Sequence, residues 1–197
     1  LSIPFVNIST DYVFDGSGRL PWSPDDPTAP QNAYGRSKLL GEIGIRNSGA
    51  THAILRTSWV VSSHGSNFVK SILRATEMRD TLNVVSDQIG GPTPAHDIAA
   101  ACLQIVEQLI RDPAKSGTYH YSGFPCVSWA DVATEVFDQL ERCIKVAHVS
   151  TADYPALAKR PLNSRLDCTS TERIFGIKRP DWRNGLTKIL SELAKKT

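Results

Sequence analysis

The sequence predicts an α/β protein with a doubly wound parallel sheet and a smaller α/β lobe after it. Short apolar runs of strand length alternate with segments that carry apolar residues at helical spacing, which is the order expected of βαβ units. The apolar run at 3–8 ends in hydroxyl and carboxylate side chains, as strands of such sheets do where they meet a ligand. Because the pattern is less regular after residue 112, we expect one unit at 1–112 and a second at 113–197.

Capping and breaking residues place most of the element boundaries. Asn32 and Ser128 are suited to begin helices, whereas Gly49 and the pair Asp112-Pro113 are suited to end them. The predicted strands lie at 3–9, 52–57, 82–85, 117–121 and 144–149. The predicted helices lie at 33–47, 67–79, 95–111, 129–143, 169–175 and 183–195. We predict irregular segments at 11–31, 62–66, 87–94 and 150–162, and a loop as long as 11–31 is usually functional.

Composition limits the classes of partner. The net charge is +2, with 41% hydrophobic and 21% charged residues, which favours neither nucleic acid nor a membrane surface as partner. No apolar run approaches the ~18 residues of a membrane span. The four cysteines and five histidines are widely scattered, so we expect reduced thiols, a cytoplasmic location and no zinc site.

Tyr34 and Lys38 are four residues apart in the first predicted helix, so their side chains share one face. An ammonium about 4 Å from a phenol favours the phenolate by roughly 4 kcal/mol at an effective dielectric of ~20. Such a tyrosine can exchange a proton with a carbonyl oxygen. The pair alone is weak evidence, because the same spacing occurs by chance in ordinary surface pairs.

Motifs along the whole chain strengthen this interpretation. They include Ser-Thr-Asp-Tyr-Val-Phe-Asp-Gly at 9–16, Asn-Ala-Tyr-Gly-Arg-Ser-Lys-Leu-Leu-Gly-Glu at 32–42 and Arg-Thr-Ser-Trp-Val at 56–60, with shorter motifs at 21–22, 67–68, 87–90 and 160–166. The chain resembles dTDP-4-dehydrorhamnose reductases, a branch of the extended short-chain dehydrogenase/reductase superfamily, from end to end. The resemblance implies a Rossmann-like domain whose N-terminal half, with the Gly-x-Gly-x-x-Gly fingerprint, is absent from residues 1–197.

The resemblance implies three catalytic residues. Tyr34 is the acid at the carbonyl oxygen, Lys38 assists it, and Thr10 presents its hydroxyl to the same oxygen or relays the proton. Tyr34 and Lys38 also meet the cofactor, NADPH or NADH. The alternative for Thr10 is a strand-end residue that caps the backbone.

Four further residues are candidate substrate ligands beside Thr10 and Tyr34. Asp11 is a candidate acceptor for sugar hydroxyls, or else makes a local Asx-turn. Trp59 resembles the family's tryptophan against the sugar ring, or else is a core residue. Arg160 and Asn163 are donors suited to a nucleotide diphosphate, or else belong to a solvated basic loop.

The implied reaction is reduction of the C4 keto group of dTDP-4-dehydro-β-L-rhamnose to dTDP-L-rhamnose, for cell-surface polysaccharide. Tyr12 stands where nucleotide-sugar dehydratases of the superfamily have a glutamate, which favours simple reduction. Two alternatives stay open, namely a binding subunit like the regulatory β-subunit of methionine adenosyltransferase and a reductase of another nucleotide-linked keto sugar. A homodimer and a Mg²⁺ ion are expected from the resemblance alone.

Overall fold

The computed structural model describes residues 3–154 and 159–195. In these ranges the helices are α1 Ala33–Asn47, α2 Phe68–Ala75, α3 Ala95–Arg111, α4 Trp129–Gln139, α5 Thr169–Phe175 and α6 Trp182–Ala194. The longer strands are β1 Phe5–Thr10, β2 His52–Thr57, β4 Thr81–Val85, β7 Gly117–His120 and β9 Lys145–Val149. Five two-residue strands complete the set: β3 Val60–Val61, β5 Ile89–Gly90, β6 Thr93–Pro94, β8 Val127–Ser128 and β10 Asn163–Ser164.

The central sheet is parallel and has the strand order β1-β2-β7. Its register places Thr10, the last residue of β1, beside Thr57, the last residue of β2. Because parallel strands end at the same edge of a sheet, the polar residues that follow them are brought together there.

Helices cover both faces of this sheet. Arg56 of β2 forms an ion pair with Glu42 of α1, whereas Leu55, its neighbour in the strand, packs with Ile98 and Ile105 of α3. Because successive side chains of a strand point to opposite faces, α1 and α3 lie on opposite sides of the sheet. The predicted doubly wound α/β fold is therefore confirmed.

A second core lies around the parallel pair β4–β9. It combines Val69 and Ile72 of α2 with Val136 of α4 and with Trp182 and Leu186 of α6. Since α2 and β4 precede residue 112 and the other elements follow it, the chain segments of the two units interleave. The division at residue 112 stays a prediction.

The long segment at 11–31 is attached to the segment at 163–167. The backbone N–H of Trp22 donates to the carbonyl of Arg165 at 2.9 Å, and the N–H of Asp167 donates back to the carbonyl of Trp22 at 2.8 Å. The Trp22 ring also stacks on Phe14, with centroids 4.7 Å apart. The C-terminal part of the chain therefore holds this segment against the sheet.

The predicted helix boundaries differ from the structure by more than one residue at two places. α2 ends at Ala75 because the Thr76 hydroxyl donates to the carbonyl of Ile72 at 2.9 Å and caps the last turn. α4 ends at Gln139, and Glu141 just beyond it has a left-handed φ of 52° that no helix continues. The two-residue strands were not predicted, and residues 155–158 of the predicted irregular segment lie outside the described residues.

Candidate active site

β1 delivers a linked threonine and aspartate to the carboxyl edge of the sheet. The Thr10 hydroxyl donates to Asp11 Oδ1 at 3.1 Å and accepts from the backbone N–H of Tyr12 at 3.2 Å. A single 3-10 turn, Asp11–Val13, follows β1 directly and turns Asp11 inward, so that this residue is 2% exposed. Thr10 therefore caps the turn, as its alternative interpretation predicts, while its hydroxyl also lies on the wall of a cavity.

Tyr34 stands in the first turn of α1, which begins against the end of β1. The Asn32 side chain accepts from the N–H of Gly35 at 2.8 Å and caps the helix. Gly35 lies so close to the backbone carbonyl of Tyr12 that a Cβ would not fit there. Tyr34 is 55% exposed and makes an edge contact with the Tyr12 ring, so its ring is open to a ligand.

Lys38 lies one helical turn beyond Tyr34 on the same wall. Its ammonium donates to the carbonyl of Ile8 in β1 at 2.5 Å. An ammonium has three N–H donors, and this bond uses one of them. Lys38 is thus fixed near the sheet and keeps donors for a ligand.

These groups share one cavity of about 660 Å³. This volume lies within the ~300–1,000 Å³ typical of sites for small ligands. The cavity brings together five of the residues singled out from the sequence, which are Thr10, Asp11, Tyr34, Lys38 and Trp59.

Trp59 lines the cavity at the point where it meets α4. Its φ of 50° is in the left-handed region, which is uncommon for a residue other than glycine. Its indole stacks on that of Trp129, the first residue of α4, with centroids 3.7 Å apart and planes 10° apart. The wall at this point is therefore a pair of indoles.

Burial changes the acidity of Asp11. Loss of solvent raises the pKa of its carboxyl from 3.8 to about 6, and the nearby hydroxyls of Ser164 and Thr10 partly offset this rise. Within the described residues neither Asp11 Oδ2 nor the Ser164 hydroxyl makes a hydrogen bond of good geometry. The site thus contains a buried carboxyl close to the Ser164 hydroxyl, with one oxygen that makes no hydrogen bond of good geometry.

An ion pair behind the cavity fixes α1 to the sheet. Glu42 is fully buried and accepts from Arg56 Nε at 2.9 Å, from Arg56 Nη2 at 2.8 Å and from the Ser9 hydroxyl at 2.5 Å. Burial acts to raise the pKa of Glu42, but its bonds to Arg56 and Ser9 outweigh burial and leave the pKa below its ordinary value. The helix that carries Tyr34 is therefore attached to both β1 and β2.

The structure places Asn163 in the interior, away from this cavity. Asn163 is 2% exposed, and its amide donates to the carbonyls of Ser17 and Leu20 at 3.0 and 2.8 Å. Its Oδ1 accepts from the side chain of Arg165 at 3.0 Å. With these contacts Asn163 supports the segment at 11–31, and contact with substrate stays a prediction.

Arg160 lines a neighbouring groove instead of the cavity. This groove of about 500 Å³ contains the start of α2, with Asn67 and Phe68, and it shares Trp129 with the cavity. The N-terminus of a helix carries a partial positive charge and free N–H groups, which favours anions. A cationic side chain and a helix N-terminus thus face one groove.

Two residues of the site were not predicted from the sequence. Thr57 is buried with no partner for its hydroxyl among the described residues, and it lines the cavity. Its position at the end of a predicted strand, level with Thr10, was the available signal. Trp129 carried no such signal, since it follows a helix cap in the manner of an ordinary core residue.

Within residues 3–154 and 159–195, no three His, Cys, Asp or Glu side chains come together in a way that would hold a metal ion, so the Mg²⁺ ion that the resemblance implies has no ligand set among them. None of the helices within 3–154 and 159–195 has the length and apolar character needed to cross a membrane.

The whole chain matches one protein family. The family model described as "RmlD substrate binding domain" covers residues 1–195. The chain belongs to this family. The resemblance to dTDP-4-dehydrorhamnose reductases that the motifs predict is confirmed.

Individual relatives agree with this assignment. A dTDP-4-dehydrorhamnose reductase of Sinorhizobium fredii is 44% identical over 96% of the chain, and one of Aggregatibacter actinomycetemcomitans is 46% identical over 93%. The chain spans 66% and 65% of the lengths of these two proteins. A solved dTDP-4-dehydrorhamnose reductase from Bacillus anthracis, in complex with NADP, superposes with a TM-score of 0.84 at 35% identity, over 95% of this chain and 65% of that one.

Proposed function

We propose that this chain carries the proton-donating and sugar-binding part of an enzyme that reduces the C4 keto group of dTDP-4-dehydro-β-L-rhamnose. The product would be dTDP-L-rhamnose, for cell-surface polysaccharide, and the reductant NADPH or NADH. The observation that carries the proposal is that Thr10, Tyr34 and Lys38 share the wall of one cavity of ligand size. The reductases named among the relatives, one of them crystallised with NADP, support it.

The proton comes from Tyr34 in this proposal. Tyr34 presents its ring to the cavity, and Lys38 one turn away supplies positive charge that favours the phenolate left after proton transfer. The Thr10 hydroxyl donates its one proton to Asp11 in the free protein, and it would turn that proton to the same carbonyl oxygen and orient the oxygen toward Tyr34. These roles divide proton transfer and positioning between a helix and a strand end.

The residues present fit the nicotinamide end of a dinucleotide. Lys38 keeps two N–H donors for ribose hydroxyls, and the buried Thr57 hydroxyl on the same wall lacks a partner within the described residues. When bound, the nicotinamide supplies the hydride. Lys38 and Thr57 would orient that end of the cofactor beside Tyr34.

The rest of the substrate would extend from the cavity into the neighbouring groove. Asp11 and Trp59 would meet the sugar in the cavity, while Arg160 and the start of α2 face the groove and suit a diphosphate. A homodimer and a cytoplasmic location are expectations from the family resemblance. The preserved set of Thr10, Tyr34 and Lys38 favours an enzyme over a regulatory binding subunit.

The test replaces the proposed acid in the full-length protein. With Tyr34→Phe we expect kcat for keto-sugar-dependent NADPH oxidation to fall about 10²- to 10⁴-fold, with KM little changed. Tyr121→Phe is the matched control, because Tyr121 is buried outside the cavity, and it should stay near the wild-type rate. A wild-type rate in Tyr34→Phe would refute the role of Tyr34.

A further inference from the structure

Both faces of the Trp59 indole are covered. Trp129 stacks on one face at a centroid distance of 3.7 Å. A Cβ added to Gly90 would lie 2.7 Å from Trp59 Cε2 and 3.0 Å from Trp59 Cδ2. These two atoms join the rings in the middle of the indole, so Gly90 lies over a face and not at an edge. With Trp129 on one face and Gly90 on the other, a sugar ring has no free face of Trp59 on which to stack.

The two covering groups differ in how firmly they are held. Gly90 belongs to β5, the middle strand of a sheet, where it pairs with Ser164 on one side and Val127 on the other. Trp129 is half-buried and packs at the edge of the second core. Its ring contacts are with Trp59 and with Phe68, which is tilted at 44° and 4.4 Å away. Trp129 is therefore the group that a ligand can displace.

Trp129 also separates the two binding spaces. Its side chain lines both the cavity that contains Tyr34 and the groove that contains Arg160. A ligand with a hexose in the cavity and a diphosphate in the groove would lie against this indole. The position of Trp129 thus affects sugar-linked ligands and leaves the groove accessible to a nucleotide alone.

We propose that Trp129 is a specificity-determining residue: the sugar ring of the substrate displaces its indole from Trp59 and takes its place in the stack. The inference deepens the proposed function and rests on it. Ligands whose hexose has an apolar face that matches an indole displace Trp129. Ligands without such a ring leave the Trp59–Trp129 pair intact. The pair thus selects for the sugar, while the groove binds the nucleotide.

Circular dichroism of the full-length protein tests this directly, because two stacked indoles give an exciton couplet in the far ultraviolet. We expect saturating dTDP-L-rhamnose to abolish the couplet and dTDP alone to leave it unchanged, with binding of each ligand verified by calorimetry. Trp129→Phe should remove the couplet without any ligand. Trp22→Phe is the matched control and should retain it, since Trp22 stacks on Phe14 outside both spaces.

A second measurement uses affinity. Trp129→Ala removes the group that must move, so the apparent affinity for dTDP-L-rhamnose should rise about three- to tenfold, while that for dTDP stays the same. The inference alone is overturned if dTDP-L-rhamnose binds and the couplet persists, or if dTDP also abolishes it. Calorimetry that shows no binding of dTDP-L-rhamnose overturns the proposed function, and the inference with it.

Discussion

Two polar clusters are built on the same two strands and the same helix, and they differ in how their hydrogen-bonding groups are used. Behind the cavity, both oxygens of Glu42 accept bonds, and Arg56 donates to Glu42 and to the carbonyl of Pro24. At the cavity, Asp11 Oδ2 and the Thr57 hydroxyl are buried without partners in the described residues. Buried polar groups are nearly always paired, so the unpaired ones indicate where a ligand supplies the partner.

The largest expected effect concerns the paired cluster. Glu42→Ala leaves Arg56 buried without its counter-ion and should lower the free energy of unfolding by about 3–5 kcal/mol in urea titrations. Arg46→Ala is the control: Arg46 bonds the same carboxylate at 2.6 Å, but its side chain is 37% exposed, so the loss should stay below about 1 kcal/mol. Equal losses in the two variants would contradict a structural role for the buried pair.

Asp11 at the unpaired cluster should make stability fall as pH rises. Its folded pKa of about 6 lies above the ordinary 3.8, so the folded state binds the extra proton, and stability declines between about pH 4 and pH 6. Asp11→Asn should not show this decline and should exceed wild type by up to about 3 kcal/mol near pH 7.5.

Asp15 is the control for Asp11, because its contribution to stability has the opposite dependence on pH. The N–H of Ser17 donates to Asp15 at 2.7 Å and lowers the pKa of that carboxyl, so its contribution to stability is lost as pH falls. Urea titrations at several pH values measure Asp11→Asn and the control variant Asp15→Asn. If Asp11→Asn followed the wild-type pH profile, the buried carboxyl would not be the titrating group.

Asn163 offers a smaller effect that separates structure from binding. Asn163→Ala removes the donors to the Ser17 and Leu20 carbonyls and should cost about 1–3 kcal/mol of stability. Asn83→Ala, at an exposed strand position, should change stability by less than about 0.5 kcal/mol. A raised KM for the sugar nucleotide with unchanged stability would instead favour the predicted contact of Asn163 with substrate.

The smallest expected effect on stability is at Thr57. Thr57→Val replaces an unpaired hydroxyl by a methyl group, so the free energy of unfolding should rise by at most about 1 kcal/mol, while the KM for the cofactor increases. Thr93→Val is the contrast, because the Thr93 hydroxyl lies 2.8 Å from the Ser58 carbonyl and accepts from the N–H of Gly123 at 3.2 Å. It should cost about 1–3 kcal/mol. If the two variants cost the same stability, the Thr57 hydroxyl would have a hydrogen-bond partner in the folded protein.

The sequence predicts the long elements well, because their patterns extend over several turns or residues. The helix at 95–111 has the predicted bounds, and Asn32 caps α1 as expected. The two-residue strands are too short to show an alternating pattern, so pairing partners distant in sequence determine them. The ends of α2 and α4 depend on a side-chain cap at Thr76 and a left-handed residue at Glu141, which propensity does not indicate.

The candidate site is predictable in its residues and less so in their contacts. The spacing of Tyr34 and Lys38 places them on one wall, but no local pattern indicates that Lys38 donates to the carbonyl of Ile8. The acidity of Asp11 depends on burial by segments far along the chain, including Ser164. The stack of Trp59 on Trp129 joins residues seventy positions apart, beyond the reach of any local motif.

The hydrogen bonds between Trp22 and the segment at 163–167 have a consequence for how the molecule tolerates shortening. The candidate site residues Thr10, Tyr34, Lys38 and Trp59 all lie within the first sixty positions. The segment at 11–31 beside them is nevertheless held by hydrogen bonds to residues after 160. A chain cut before residue 160 would keep Thr10, Tyr34, Lys38 and Trp59 but lose the hydrogen bonds that hold the segment at 11–31 beside them. The geometry of a site whose reactive residues lie near the N-terminal end of this sequence thus depends on residues near its C-terminal end.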